Sequence, residues 1–223
     1  AAAITVIEKN ERPARKLMIT GKGRCNVTNN CGVDTLIANV PKNGKFLFSA
    51  FSCFSSGDTM RLFESLGVPL KTERGNRVFP VSDKAVDIVD ALVGAVRKSG
   101  VKIVRGAAKK IIVSDGEVIG VKTEDGEIYP ADSVILATGG MSYPLTGSTG
   151  DGYKMAAELS HTVTELKPSL VPLTVHEGFC SRLAGLSLKN VTLTVFEEGK
   201  KKPVFSELGE MLFTHFGISG PLT

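Results

Sequence analysis

Ile4, Thr5, Val6 and Ile7 form a β-branched run that ends at Glu8-Lys9-Asn10, a pattern that predicts a buried strand delivering an acid to its carboxyl end. A short helix is expected between Glu11 and Ile19, limited by Pro13, and Thr20 to Gly32 reads as a polar loop rich in glycine and asparagine. From Phe46 to Leu66 the apolar positions Phe48, Phe51, Phe54, Met60, Phe63 and Leu66 recur near helical spacing, with a break at Ser55-Ser56-Gly57-Asp58. Two short helices follow from that, the second capped by Ser56 or Asp58. Ala85, Val86, Ile88, Val89, Leu92, Val93 and Val96 give the clearest amphipathic helix, closed by Lys98-Ser99-Gly100.

The second half of the chain changes period. Val101 to Val104 predicts a strand, and Lys110 to Val113, Val118 to Lys122 and Glu127 to Tyr129 alternate around the turns Asp115-Gly116 and Asp125-Gly126 as a small antiparallel meander. Ser133-Val134-Ile135-Leu136-Ala137 is an apolar run of the kind that fills the middle of a parallel sheet, and it stops at Thr138-Gly139-Gly140. The glycine-rich Gly147 to Gly152 opens a helix from Tyr153 to Leu159. Pro168 and Pro172 bracket a change of texture, after which Leu188 to Phe196, Val204-Phe205 and Met211 to Thr214 read as β. The expected division is 1–167 and 168–223.

Composition narrows the function classes only a little. With 42% hydrophobic and 22% charged residues among 223, the chain can bury a substantial core. No stretch approaches the roughly 18 uncharged apolar residues of a membrane-spanning helix. Lys+Arg 27 against Asp+Glu 23 leaves +4, which favours anionic ligands weakly and falls short of a nucleic-acid stripe. Four scattered cysteines do not make the framework of a small secreted domain, and Ala1 to Thr5 lacks the basic flank of a signal peptide. A reducing cytoplasm is the expected setting.

An acid at the end of a strand is what a doubly wound nucleotide-binding fold uses to accept both ribose hydroxyls, and Glu8 stands in that position. The usual G-x-G-x-x-G would lie upstream, where no residues hold it. On an alternative reading, Ala1 to Thr5 is the tail of the helix that follows such a glycine turn, and Thr5 and Val6 are then not true neighbours in the fold. Gly21-Lys22-Gly23-Arg24-Cys25-Asn26-Val27-Thr28-Asn29 brings glycines, cations and short polar side chains into one loop suited to an anion, without the spacing of a P-loop. Ala137-Thr138-Gly139-Gly140 lies where open α/β sheets receive a cofactor. Cys25 and Cys31 invite a redox pair, against the simpler reading of buried thiols. His161, His176 and His215 lack metal-ligand spacing, and the phenylalanines from Phe46 to Phe63 read as core.

Five motifs in order, strand-Glu8, Arg15 to Asn29 (R-K-L-M-I-T-G-K-G-R-C-N-V-T-N), Gly75 to Lys84 (G-N-R-V-F-P-V-S-D-K), Ala137 to Tyr153 (A-T-G-G-M-S-Y-P-L-T-G-S-T-G-D-G-Y) and Leu212 to Pro221 (L-F-T-H-F-G-I-S-G-P), resemble the YhiN/BaiN-like flavoproteins. That family is also described as the aminoacetone oxidase family or as NAD(P)/FAD-dependent oxidoreductases. The resemblance implies an α/β glutathione-reductase-like, Rossmann-type FAD-binding domain with an inserted β-rich domain, and a flavin-mediated hydride or electron transfer. NAD(P)H is the implied donor and a small hydrophobic organic molecule the implied substrate, with neither membrane nor nucleic acid as an expected partner. Carried over by position, Glu8 holds the adenosine ribose, Lys9 and Lys16 lie near the adenine and phosphates, and Gly23, Arg24, Cys25 and Asn26 line the flavin side. Ala108 touches adenine through its backbone, and Ala137, Thr138, Gly139 and Gly140 close over the cofactor with Tyr143 nearby. The chain shows neither the upstream glycine turn nor the family's returning C-terminal segment, so it is expected to be incomplete and, as it stands, to bind FAD poorly or not at all. The rival readings are a flavin disulfide reductase using Cys25 and Cys31, and a nucleic-acid-binding module with a structural FAD, supported by the basic loop Arg12 to Arg24.

Overall fold

A computed structural model describes residues 2–168 and 171–222. In chain order its elements are β1 (Thr5–Glu8), α1 (Arg15–Ile19), β2 (Thr28–Asn29), α2 (Val33–Ala38), α3 (Phe48–Cys53), α4 (Ser56–Ser65), β3 (Leu70–Glu73), β4 (Arg77–Pro80), α5 (Ala85–Lys98), β5 (Lys102–Arg105), β6 (Ala108–Ser114), β7 (Glu117–Thr123), β8 (Ile128–Pro130), α6 (Asp151–Glu158), β9 (Leu173–Thr174), α7 (Phe179–Arg182), β10 (Ser187–Phe196), β11 (Pro203–Phe213) and β12 (Gly217–Ser219). This is a mixed α/β chain. It divides into two compact units, Ala1–Val163 and Thr164–Thr223. No described helix is long and apolar enough to cross a membrane.

In the first unit β1 and β5 pair in parallel, Thr5 opposite Lys102 and Glu8 opposite Arg105. Parallel neighbours require a long crossover, and α1 to α5 with the small antiparallel sheet β2-β4-β3 fill it. The ladder is continuous from Ile4, whose carbonyl accepts the Lys102 N–H at 3.1 Å, through Thr5 and Val6. Ala2 to Ile4 carry no helix, so the helix-tail reading of the first residues is corrected. The core gathers Cys25, Phe63, Val68, Ala85 and Ile88, with Leu17, Met18, Val27, Leu70, Ala91 and Leu92 packed around them. It sits where α1, α4 and α5 meet the small sheet.

Local chemistry explains most element ends. α1 begins only at Arg15 because Pro13 and a left-handed Ala14 (φ 59°) delay it. The Thr20 to Gly32 segment is more ordered than a free loop. A short 3-10 turn at Thr20–Gly23 passes through left-handed Gly21 and Lys22, and β2 then pairs with β4, Thr28 opposite Val78. α4 is capped by Ser55, not by Ser56 or Asp58. The Ser55 Oγ accepts the Asp58 N–H at 3.2 Å, and the Asp58 carboxylate accepts the Ser55 N–H at 2.8 Å, a reciprocal capping box. α5, β5 and the meander β6-β7-β8 fall where the sequence pattern puts them.

Ser133 to Ala137 is the largest departure. It forms no strand, and Ile135 is 91% exposed. An apolar strand is buried only when it has hydrogen-bonding neighbours and covered faces, and among the described residues β1 and β5 pair only with each other. The second unit is an antiparallel sheet in the order β10-β11-β12-β9. The expected pieces Val204-Phe205 and Met211 to Thr214 fuse there into the single strand β11, because β10 offers one long partner from Ser187 to Phe196 with two register shifts.

Ser55→Ala should lower stability by about 1 kcal/mol, and Ile88→Ala, which empties a fully buried core position, by about 2–5 kcal/mol; urea midpoints rank the two. The hydrogen bonds from the Ser55 side chain and N–H, with that from Arg61, hold the Asp58 carboxyl at about 2 against its ordinary 3.8. Stability from a depressed carboxyl is present above the unfolded value and is lost as pH falls through the folded one. The gap between Ser55→Ala and the parent protein should therefore narrow from pH 3.8 toward about 2.

Candidate functional site

The carboxyl end of β1 is tied to a turn far along the chain. Glu8 Oε1 accepts both the backbone N–H and the side-chain amide of Asn10, each at 2.8 Å. The same amide donates to the Thr146 carbonyl at 3.2 Å. Glu8 Oε2 takes no hydrogen bond from a described residue. Lys9 Nζ lies 2.6 Å from both Thr149 Oγ1 and Asp151 Oδ2, at the first turn of α6. Its hydrogen bond, followed by that of Thr149, holds the Asp151 carboxyl below the usual carboxylate range. Lys16 Nζ donates to the Ser142 carbonyl at 2.7 Å and lies 5.0 Å from the centre of the Tyr143 ring, an exposed cation–π contact.

Close approach shapes the turn itself. The Gly150 N–H donates to the Gly140 carbonyl at 3.2 Å. A Cβ on Gly152 would stand 2.4 Å from Thr138 Oγ1, and one on Gly147 would stand 2.8 Å from Asn10 Nδ2. A cavity of about 340 Å³ opens beside this turn, lined by Leu136, Thr138, Gly139, Gly152 and Tyr153. Another of about 590 Å³ is lined by Glu117, Val118, Asp132, Ser133 and Val134. Both border the unpaired apolar run.

Of the residues singled out in the sequence, Glu8, Lys9, Lys16, Thr138, Gly139, Gly140 and Tyr143 gather at this place. Ala137 is exposed between two of the cavity-lining residues. Ala108 begins β6 just after Gly106, whose N–H donates to the Glu8 carbonyl at 3.0 Å. Gly23, Arg24, Cys25 and Asn26 are built instead around the β2-β4-β3 sheet. Arg24 Nη1 donates to Glu73 at 2.9 Å and Asp83 at 3.2 Å, and its guanidinium stacks 3.9 Å from the Phe79 ring centre. Lys71 joins the same carboxylates, 2.6 Å from Asp83 and 3.5 Å from Glu73. Each charge supports its partners: Glu73 raises Arg24, Asp83 raises Lys71, and both carboxyls are held down.

All four cysteines are free thiols. Cys25 is 1% exposed, and burial pushes its thiol up despite the hydrogen bond from Thr20. A thiol so placed is a poor nucleophile. Among the described residues no cluster of three His, Cys, Asp or Glu side chains could hold a metal. Asn10, Thr146 and Asp151 were not singled out by the sequence reading. The signal for Asn10 was its place directly after the strand-end acid, and Asp151 stands inside the G-D-G that starts α6.

Residues 1–220 match the HI0933-like protein Rossmann domain. The chain belongs to that family. It is 31% identical over 219 residues, 98% of its length, to a 3-dehydro-bile acid delta(4,6)-reductase of Clostridium scindens, covering 52% of that protein. Against the ribosomal RNA dihydrouridine synthase of Escherichia coli it is 31% identical over 221 residues, 98% of the chain and 52% of the relative. The Haemophilus influenzae protein of the same name is 32% identical over 225 residues, 98% of the chain and 53% of the relative. The chain thus spans about half the length of the curated relatives it matches. The ordered motifs that suggested a flavoprotein family, from Glu8 to Gly220, lie within this HI0933-like match, and only the final Pro221 of the last one falls beyond it.

Gly152→Ala should lower stability by about 1–3 kcal/mol through the contact with Thr138. Thr138→Ala removes the obstructing hydroxyl, so the double variant should melt above the value expected from summing the single changes. Additive melting shifts would contradict that close approach.

Proposed function

We propose that this HI0933-like chain forms the nucleotide-binding part of an FAD-dependent oxidoreductase of the glutathione-reductase-like class. Residues 1–167 would belong to the FAD domain and 168–223 to a β-rich insertion. The observation that carries the reading is Glu8: it stands at the carboxyl end of a parallel strand with Oε1 clamped by Asn10 and Oε2 without a hydrogen bond from a described residue, and Thr146 is tied to it through Asn10. The residues fit the group chemically. An open carboxylate oxygen can accept a ribose hydroxyl, glycines at Gly139 and Gly140 permit close approach, and a cavity borders them.

In this reading Glu8 binds the adenosine ribose, Ala108 meets the adenine through its backbone, and Ala137 to Gly140 cover the cofactor with Tyr143 beside them. Lys9 and Lys16 lend positive charge near the phosphates while keeping their internal partners. Gly23, Arg24, Cys25 and Asn26 face the flavin side on a loop that Glu73 and Asp83 hold in shape. FAD supplies hydride transfer when bound. NAD(P)H is the proposed donor.

The relatives' names describe reduction of a ring carbon–carbon double bond, in a 3-dehydro-bile acid for one and in uridine of ribosomal RNA for the two others. The proposed reaction is accordingly hydride delivery to an electron-poor ring double bond, and of the two kinds of substrate those names give we favour the small organic one. Exposed Met141 and Leu145 on the turn suit an apolar one. The free thiols agree with a reducing compartment, and the cytoplasm is the proposed location. The disulfide-reductase reading gains nothing from Cys25, whose thiol is buried.

The full-length protein, once purified, should be yellow, or become so with added FAD, and should bleach with NAD(P)H in the absence of oxygen. Glu8→Gln should weaken FAD binding by about tenfold or more, since hydrogen bonds to a charged acceptor are the strong ones. A colourless protein that FAD cannot reconstitute would overturn the assignment.

A further inference from the structure

Asn10 makes hydrogen bonds that no other residue type of its size could make together. Its side-chain amide has two protons, and both are spent on acceptors: Glu8 Oε1 at 2.8 Å and the Thr146 carbonyl at 3.2 Å, the latter 136 residues along the chain. Its backbone N–H reaches the same carboxylate oxygen at 2.8 Å. One oxygen of Glu8 is thereby held by two donors, in bonds strengthened by the carboxylate charge. The turn is shaped to admit this amide. Gly147 adopts φ 95°, and a Cβ there would press on both Asn10 Nδ2 and Lys9 Cε at 2.8 and 3.1 Å. The neighbouring tie, Lys9 to Asp151, is an ion pair with side chains 30% and 33% exposed, which solvent screens in part.

We propose that Asn10 is a positioning residue: its amide joins the Glu8 carboxylate to the Thr146 carbonyl, turning the second oxygen of Glu8 outward and registering the Tyr143 to Gly150 turn beside it. This rests on the nucleotide-binding reading, in which Glu8 takes the ribose and the turn closes over the cofactor. The role needs a donor at that point and not merely volume. Aspartate has the shape of asparagine without the donor and would set a second carboxylate against Glu8. The charged groups around the pair are Arg105, opposite Glu8 on β5, with Lys9 and Asp151 across the turn.

The test compares Asn10→Asp and Asn10→Ser with the parent protein, by FAD titration and by amide hydrogen exchange of the Tyr143 to Gly150 segment. At pH 8 Asn10→Asp should bind FAD about tenfold more weakly, the loss of a charge-assisted hydrogen bond, with faster exchange at Thr146 and Gly147. Asn10→Ser, small and uncharged with a single hydroxyl proton, should weaken binding as well, and it serves if Asn10→Asp does not fold. Parent-like FAD affinity at pH 8 in the folded Asn10→Asp protein overturns the proposal, as does parent-like affinity in Asn10→Ser should it alone fold. If the parent protein binds no FAD, the nucleotide reading fails. Exchange then decides the clasp by itself: unchanged protection at Thr146 and Gly147 in the variants removes it.

Discussion

Parallel pairing of β1 with β5 is the constraint from which the rest follows. A parallel neighbour cannot be reached by a tight turn, so the chain between Glu8 and Lys102 must travel back across the sheet, and it uses that length for α1 to α5 and the small sheet. Both strands then end on the same side. The Glu8 carbonyl accepts the Gly106 N–H there, and β6 starts two residues later. The segment that follows the meander returns to the same edge, where Lys9, Asn10 and Lys16 fasten it.

The fastening resolves how three cations can stand near one proposed anion site without being its ligands. Lys9, Lys16 and Arg24 each look like phosphate-binding residues in the sequence. In the fold Lys9 answers Asp151, Lys16 answers a carbonyl and an aromatic face, and Arg24 answers Glu73 and Asp83 over Phe79. Individually such exposed contacts contribute little. Placed at the two ends of irregular loops, they select one loop conformation among many of nearly equal energy.

Where the sequence pattern was periodic it was sufficient for the elements but not always for burial: of the phenylalanines read as core, Phe63 is buried while Phe46, Phe48 and Phe54 are exposed. The amphipathic stripe of α5 and the Asp-Gly turns of the meander specify their elements locally, and the acid at the end of β1 needs only the strand before it. Patterns that depend on partners were less legible. Ser133 to Ala137 has the composition of a strand covered on both faces, yet composition cannot supply the neighbours, and Ile135 remains 91% exposed. The cap of α4 moved by one residue because Ser55 and Ser56 are chemically equal and only Asp58, three residues beyond Ser55, chooses between them. The partners of Arg24 lie 49 and 59 residues away, beyond any local signal.

Asn10 marks the same limit inside the site. From the sequence it is a polar residue after a strand, with turn formation as its ordinary use. Its importance appears only when Thr146 arrives, because the carboxylate and the carbonyl are both acceptors and would repel across a gap that a single amide bridges. Two acceptors brought together need a shared donor, and a primary amide is the smallest neutral side chain that gives each its own proton. Gly147 is the complementary half of that arrangement, since a Cβ there would stand 2.8 Å from the amide nitrogen. The strand-end acid and the glycine turn are therefore joined here through the two protons of one amide, not through attraction between them, beside the ties that Lys9 and Lys16 make to the same turn.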